Sequence, residues 1–159
     1  MSQLGRIVSL DTPQALNRIE EWTKRQGVVA HPTTKDSDRR QYTATATENP
    51  YVEFDRSFQA SGGLFDIHMI VRALIPTTAN FQAKLYIDDV EQDKGGGLGT
   101  GSGSTVLDVN LRFRGKLNEG SHKVRITLNH STGTLNINQD GNAGREGTSS
   151  LAITEFLGV

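Results

Sequence analysis

From about Tyr42 to the last residue, apolar and polar side chains alternate along the chain. The rhythm is clearest in Gly63-Leu64-Phe65-Asp66-Ile67-His68-Met69-Ile70-Val71-Arg72-Ala73, and it returns over 121–128 and 150–156. A period of two sends successive side chains to opposite faces, so these segments are read as strands with one dry face and one wet face. Phe65, Ile67, Met69, Val71 and Ala73 share one parity. Phe81, Ala83, Leu85 and Ile87 do the same beyond a turn at 76–80, and the two strands are expected to pair as antiparallel neighbours. Leu107, Val109, Leu111 and Phe113 mark a third strand, Asn118-Glu119-Gly120 turns the chain, and His122, Val124, Ile126 and Leu128 mark a fourth. Leu135 and Ile137, then Leu151, Ile153 and Phe156, give the last inward positions, and 41–47 and 51–54 read as two further short strands. Eight or more short strands with regular turns predict a sandwich or barrel.

The first forty residues follow another pattern. Leu4, Ile7, Val8 and Leu10 suggest a short extended arm. Asp11-Thr12-Pro13 then offers an N-cap and a proline where a first helical turn tolerates it. Leu16, Ile19 and Trp22, spaced by three, form an apolar stripe, Glu20 and Glu21 lie in reach of Lys24 and Arg25, and Gly27 is a natural stop. A helix this short must dock on something to persist. Residues 31–41 have almost no apolar side chains and read as an exposed connector, and the glycine-rich run 95–104 reads as an edge loop. The organisation expected is an attachment segment over 1–40 and a β-sandwich over 41–159.

Composition narrows the function. At 159 residues the chain fits one domain, able to bury roughly 68–70% of its extended surface. It has no cysteine, which excludes disulfides, thiolate nucleophiles and cysteine-based zinc sites together. A formal charge of −1 gives no global attraction to nucleic acid or an anionic membrane. No stretch approaches the ~20 apolar residues that span a bilayer, and the first residues lack the apolar run of a signal peptide. A protein made in a cytoplasm and staying soluble there, without membrane insertion, is the expectation.

Chemistry finds little foothold. Lys94 precedes the glycine run and a strand follows it, so the lysine and helix dipole of a phosphate loop are missing. His31, His68, His122 and His130 are too scattered for a local metal motif. Asp88, Asp89, Glu91 and Asp93 form an acidic turn whose ligand type suits calcium but whose spacing matches no calcium loop. No nucleophile elbow or zinc helix occurs, and a glycosidase pair would have to come from separate strands, for example Asp66 and Asp108. The expectation is no enzyme and no cofactor.

The wet parity carries more. Arg72, Lys84, Arg112, Arg114, Lys123 and Arg125 all point outward, and several on one sheet would make a basic face suited to an acidic surface. The competing reading is a solvated face neutralised by Asp66, Asp88 and Asp108. Nucleic acid is disfavoured because no aromatics interleave with these cations. Ile70, Leu74, Tyr86 and Val106 share the outward parity and suggest a partly buried, subunit-facing surface.

Three segments carry a resemblance: Phe81-Gln82-Ala83-Lys84-Leu85-Tyr86-Ile87-Asp88-Asp89-Val90, Leu117-Asn118-Glu119-Gly120-Ser121-His122-Lys123-Val124-Arg125-Ile126, and Ser149-Ser150-Leu151-Ala152-Ile153-Thr154-Glu155-Phe156. They resemble the jelly-roll domains of bacteriophage structural proteins, which are similar in fold to tumour-necrosis-factor-like modules and usually form homotrimers. The resemblance covers 41–159. It departs in having no long N-terminal stalk, and in placing Asp88-Asp89 where the usual turn ends in glycine. A stalkless body with an arm resembles a capsid decoration, or cement, protein better than a fibre. What this implies is a virion structural protein, a homotrimer whose partners are phage capsid or other virion proteins. Leu4, Ile7, Val8, Leu10, Leu16, Ile19 and Trp22 would then form the docking surface. The alternative it leaves open is a receptor- or glycan-binding head of a tail or fibre protein, bound to a host-surface glycan through the loops 95–104 and 140–148.

Overall fold

The computed structural model describes residues 27–44, 48–100, 103–139 and 147–157. The expected arm and helix lie outside them. Twelve strands are described: β1 (Val28–Ala30), β2 (Thr34–Asp36), β3 (Arg40–Thr43), β4 (Asn49–Pro50), β5 (Arg56–Ser61), β6 (Leu64–Ile75), β7 (Asn80–Ile87), β8 (Val90–Leu98), β9 (Thr105–Lys116), β10 (Glu119–His130), β11 (Thr134–Ile137) and β12 (Ser149–Phe156). A 3-10 turn, Val52–Phe54, separates β4 from β5.

The strands form two antiparallel sheets. In the first, β9, β6 and β12 run side by side, β1 and β2 share the far edge of β12, and β11 and β3 extend the sheet from the end of β6. In the second, β8, β7 and β10 run side by side with β4 and β5 on the far edge of β10. The long strands alternate between sheets along the chain, apart from the β7–β8 hairpin. That is the double Greek key of a jelly-roll β-sandwich.

The dry parity builds the core between the sheets. Phe65, Ile67, Met69, Val71 and Ala73 of β6 are fully buried, and they meet Phe81, Ala83, Leu85 and Ile87 of β7 and Val124, Ile126 and Leu128 of β10. β6 and β7 do not pair, contrary to the expectation from sequence. The turn after Pro76, closed by the Ala79 N–H on the Pro76 carbonyl with Thr78 at φ +65°, carries the chain from one sheet to the other. Period two fixes which face is dry, and both arrangements satisfy it.

Other segments also differ from their sequence reading. Residues 28–36 belong to the sandwich, because β1 and β2 pair with β12, and the supposed connector 31–41 buries Asp36 at 6% exposure. In place of the expected strand over 51–54, Tyr51 caps the 3-10 turn Val52–Phe54, which drops Tyr51 and Phe54 into the core edge-to-face at 4.7 Å. Gly95, Gly96 and Gly97 are strand, not loop. A Cβ at Gly95 would lie 2.8 Å from Val109 Cγ1 and one at Gly97 2.8 Å from Leu107 Cδ2, so β9 side chains occupy the space that β8 leaves bare. On β12 the inward position near the end is Glu155, and Phe156 lies on the outward parity with Leu64, its partner in register. Glu155 Oε1 accepts the N–H groups of Ser61 (2.8 Å) and Gly63 (2.9 Å), closing the β5–β6 turn from inside.

Candidate functional site

With the dry parity spent on the core, the outer faces are the surfaces that can meet a partner. On the first sheet, Arg72 and Asp108 are direct cross-strand partners, and the guanidinium grips the carboxylate through two bonds of 2.8 Å. Six register steps along β6, Asp66 receives Arg112 (2.8 and 2.5 Å) and Arg114 (3.3 Å). The hydrogen bond from Arg112 holds the Asp66 carboxyl below its ordinary value, and that from Arg72 does the same for Asp108. The Arg112 backbone N–H, on the free edge of β9, donates to Asp93 Oδ2 at 2.7 Å, so one unpaired edge group is covered by an acid from β8.

The second sheet carries its own cluster. Glu48 accepts bonds from Lys84 Nζ (2.5 Å), Tyr86 OH (3.0 Å) and Thr127 Oγ1 (2.6 Å). Burial would raise the Glu48 carboxyl, but these three donors, Lys84 foremost, bring it below its ordinary value, and Glu48 in return raises Lys84. Arg125 sits 4.4 Å over the Tyr86 ring and 3.2 Å from Asp89, and Lys123 lies 3.0 Å from Asp55.

The six outward cations are therefore divided: Arg72, Arg112 and Arg114 on one face, Lys84, Lys123 and Arg125 on the other. Each has a carboxylate within 3.3 Å. Neither face gathers the uncompensated positive potential that an acidic partner would need. The outward apolar set is divided too. Ile70 and Leu74 lie on the first sheet, where Leu74 is 7% exposed, and Tyr86 lies on the second. A different apolar row does emerge. Val28, Phe156 and Leu64 stand side by side across β1, β12 and β6 at one end of the first sheet, and Val28 is 63% and Leu64 39% exposed. The docking set Leu4, Ile7, Val8, Leu10, Leu16, Ile19 and Trp22 lies outside the described residues.

The chemical candidates disperse. Asp66 and Asp108 share a face, but Asp66 opposes Arg114 while Asp108 opposes Arg72, six register steps apart on β6. That is roughly 20 Å, far beyond a glycosidase separation of about 5–9.5 Å. Asp88 turns to His122, Asp89 to Arg125, Glu91 to Lys84 and Asp93 to two backbone N–H groups, so the acidic turn does not converge. Among the described residues no group of three acidic or histidine side chains could hold a metal ion.

One polar constellation had no sequence signal. Asp36 Oδ2 accepts from Tyr51 OH (2.7 Å), Arg40 Nε (2.9 Å) and Asn138 Nδ2 (3.1 Å), and Asn138 Oδ1 accepts from Ser149 Oγ (2.7 Å) and the Ser149 N–H (2.9 Å). Asp36, Tyr51, Asn138 and Ser149 are all buried, and Asn138 stands at φ +58°. Burial works against the Asp36 charge, yet the bonds from Arg40 and Tyr51 hold its carboxyl low, and burial pushes the Tyr51 phenol up. The cluster fastens β2, the 3-10 turn, β11 and β12 together and leaves no reactive group exposed.

No family model and no curated protein matches the chain. Among solved structures, it is similar to that of the infectious bursal disease virus Gx strain, with 14% identity and a TM-score of 0.41 over 82% of this chain and 36% of that one. The VP2 subviral particle of the same virus gives 15% identity and a TM-score of 0.41, with 82% and 38% covered. Dimeric latent PorU from Porphyromonas gingivalis gives 11%, a TM-score of 0.36, and 78% and 13% covered. The chain spans less than two fifths of the length of each.

Proposed function

We propose that this chain is a virion structural protein without enzymatic activity, of the capsid decoration or cement kind. It binds the particle surface as a homotrimer. The observation that supports this reading is the apolar row Val28–Phe156–Leu64, exposed on an otherwise charge-compensated sandwich and adjoining the point where the first 26 residues enter. An exposed apolar strip suits attachment to another protein, and the apolar residues Leu4, Ile7, Val8 and Leu10 of the preceding sequence would add to it. Many weak contacts repeated by symmetry then raise particle stability through linkage. The test is thermal disruption of phage capsids lacking surface proteins, with and without the purified chain, alongside light scattering for its mass. The expected result is a trimer mass and a higher disruption temperature. A monomer would sink the trimer assignment, and an unchanged disruption temperature would sink the cementing role.

A further inference from the structure

On the outer face of the second sheet the cross-strand rows are Asn129–Gln82–Gly96 and, one step on, Asn80 beside Leu98. Gly96 leaves a gap in this face that no other residue could leave. A Cβ there would come 2.0 Å from the Phe81 carbonyl oxygen. The result is a trough of about 690 Å³ floored by the bare β8 backbone, bounded by Asn80, Gln82 and Asn129, with Lys94 and Leu98 at its rim. The amide side chains of Asn80, Gln82 and Asn129 have no hydrogen-bond partner among the described residues. His130, which also lines the trough, is 3% exposed and its Nδ1 has no partner.

Each amide offers two donors and an acceptor, a set that complements hydroxyl groups, which also both donate and accept. Adjacent strands hold the Gln82 and Asn129 amides roughly 4.8 Å apart, and Asn80 follows on the same face two residues along β7, roughly 6.6 Å on, spacings that suit hydroxyls of a sugar ring. Charge argues against an anionic ligand: Lys94 is the single cation at the rim, and it faces Glu91 at 3.8 Å. Leu98, 54% exposed, supplies an apolar contact for the C–H face of a pyranose. We infer that this trough is a binding site for neutral saccharide, held by the amides of Asn80, Gln82 and Asn129. The proposed site is independent of the virion reading and lies on the outer sheet face formed by β10, β7 and β8.

The experiment is binding of the labelled full chain to an array of neutral and of sialylated or sulfated oligosaccharides. Titration of the strongest neutral binder into ¹⁵N-labelled protein then follows. Expected are neutral binders, with amide shifts confined to 80–82, 94–98 and 129–131. Affinity should fall roughly tenfold in the Gln82→Ala/Asn129→Ala double variant at unchanged melting temperature. Asn80→Ala alone gives a second, independent loss should the double variant melt early. An array without neutral binders, shifts elsewhere on the protein, or full affinity in folded variants would overturn the assignment.

Discussion

His122 Nδ1 lies 2.6 Å from Asp88 Oδ2, while its Nε2 lies 2.9 Å from the carbonyl oxygen of Asn118. A carboxylate and a carbonyl can only accept, so both ring nitrogens donate and the ring is an imidazolium. Asp88 stands at φ +50° in the β7–β8 turn and Asn118 between β9 and β10, so one side chain ties two turns at the same end of the sandwich. The Lys123 N–H donates to Asp88 Oδ1 (2.8 Å) and the Asp88 N–H to the Lys123 carbonyl (2.9 Å), completing the clasp.

This clasp makes stability depend on pH. The hydrogen bond to Asp88, then that to Asn118, raises the His122 imidazole above its ordinary 6.5. Its contribution is therefore fully present below that value and is lost as pH rises through the raised one. Burial works against the Asp88 charge, but His122 and the Lys123 N–H lower its carboxyl below 3.8, so its contribution holds above that and is lost on further acidification. Thermal melts should show wild type losing stability relative to His122→Gln as the pH rises above about 6.5 and through the raised value of the ring. Parallel curves for the two proteins would refute the clasp.

The buried cluster at Asp36 should be the most sensitive polar site. Asp36→Ala strands the Tyr51 hydroxyl, the Asn138 amide and Arg40, and is expected to cost about 3 kcal/mol in urea denaturation. Tyr51→Phe removes one donor and leaves Asp36 its other partners, for a loss of about 1 kcal/mol. Equal losses in the two variants would show that the cluster does not act as a network.

Glycines should separate by what surrounds them. At Gly96 a methyl meets backbone at 2.0 Å, so Gly96→Ala is expected to destabilise by about 2 kcal/mol or more. Gly103 has nothing within 4 Å of a built Cβ, and Gly103→Ala should be neutral or slightly stabilising. Chemical denaturation of both variants checks the contrast, and a tolerated Gly96→Ala would show that β8 does not pack flat on β7.

Much of the sandwich was legible because burial imposes a parity. Phe65 to Ala73, Phe81 to Ile87, Leu107 to Phe113 and Val124 to Leu128 all point inward as their spacing predicts. Which strands pair was not legible, since β6 opposite β7 and β6 beside β7 require the same dry face. β8 escaped because glycine has no parity to read. Its inward positions are recognisable only once Leu107 and Val109 are seen filling the space above them. β5 has only Phe58 and Ala60 as apolar residues in a run of polar ones. The buried polar cluster joins Asp36 to Asn138 across 102 positions, a pairing that no local spacing encodes. The outward cations were correctly placed on the wet parity. Their neutralisation depended on register, which sets Arg72 opposite Asp108 and brings Arg112 to Asp66.

A virion structural protein must attach to a particle. Cosedimentation of the chain with capsids lacking surface proteins tests it directly, using the full chain and a Val28→Glu/Leu64→Glu variant with an unchanged melting temperature. The prediction is saturable pelleting of the full chain with capsids and roughly a tenfold or greater loss of affinity in the variant. A full chain that stays in the supernatant at every capsid concentration would contradict the virion assignment.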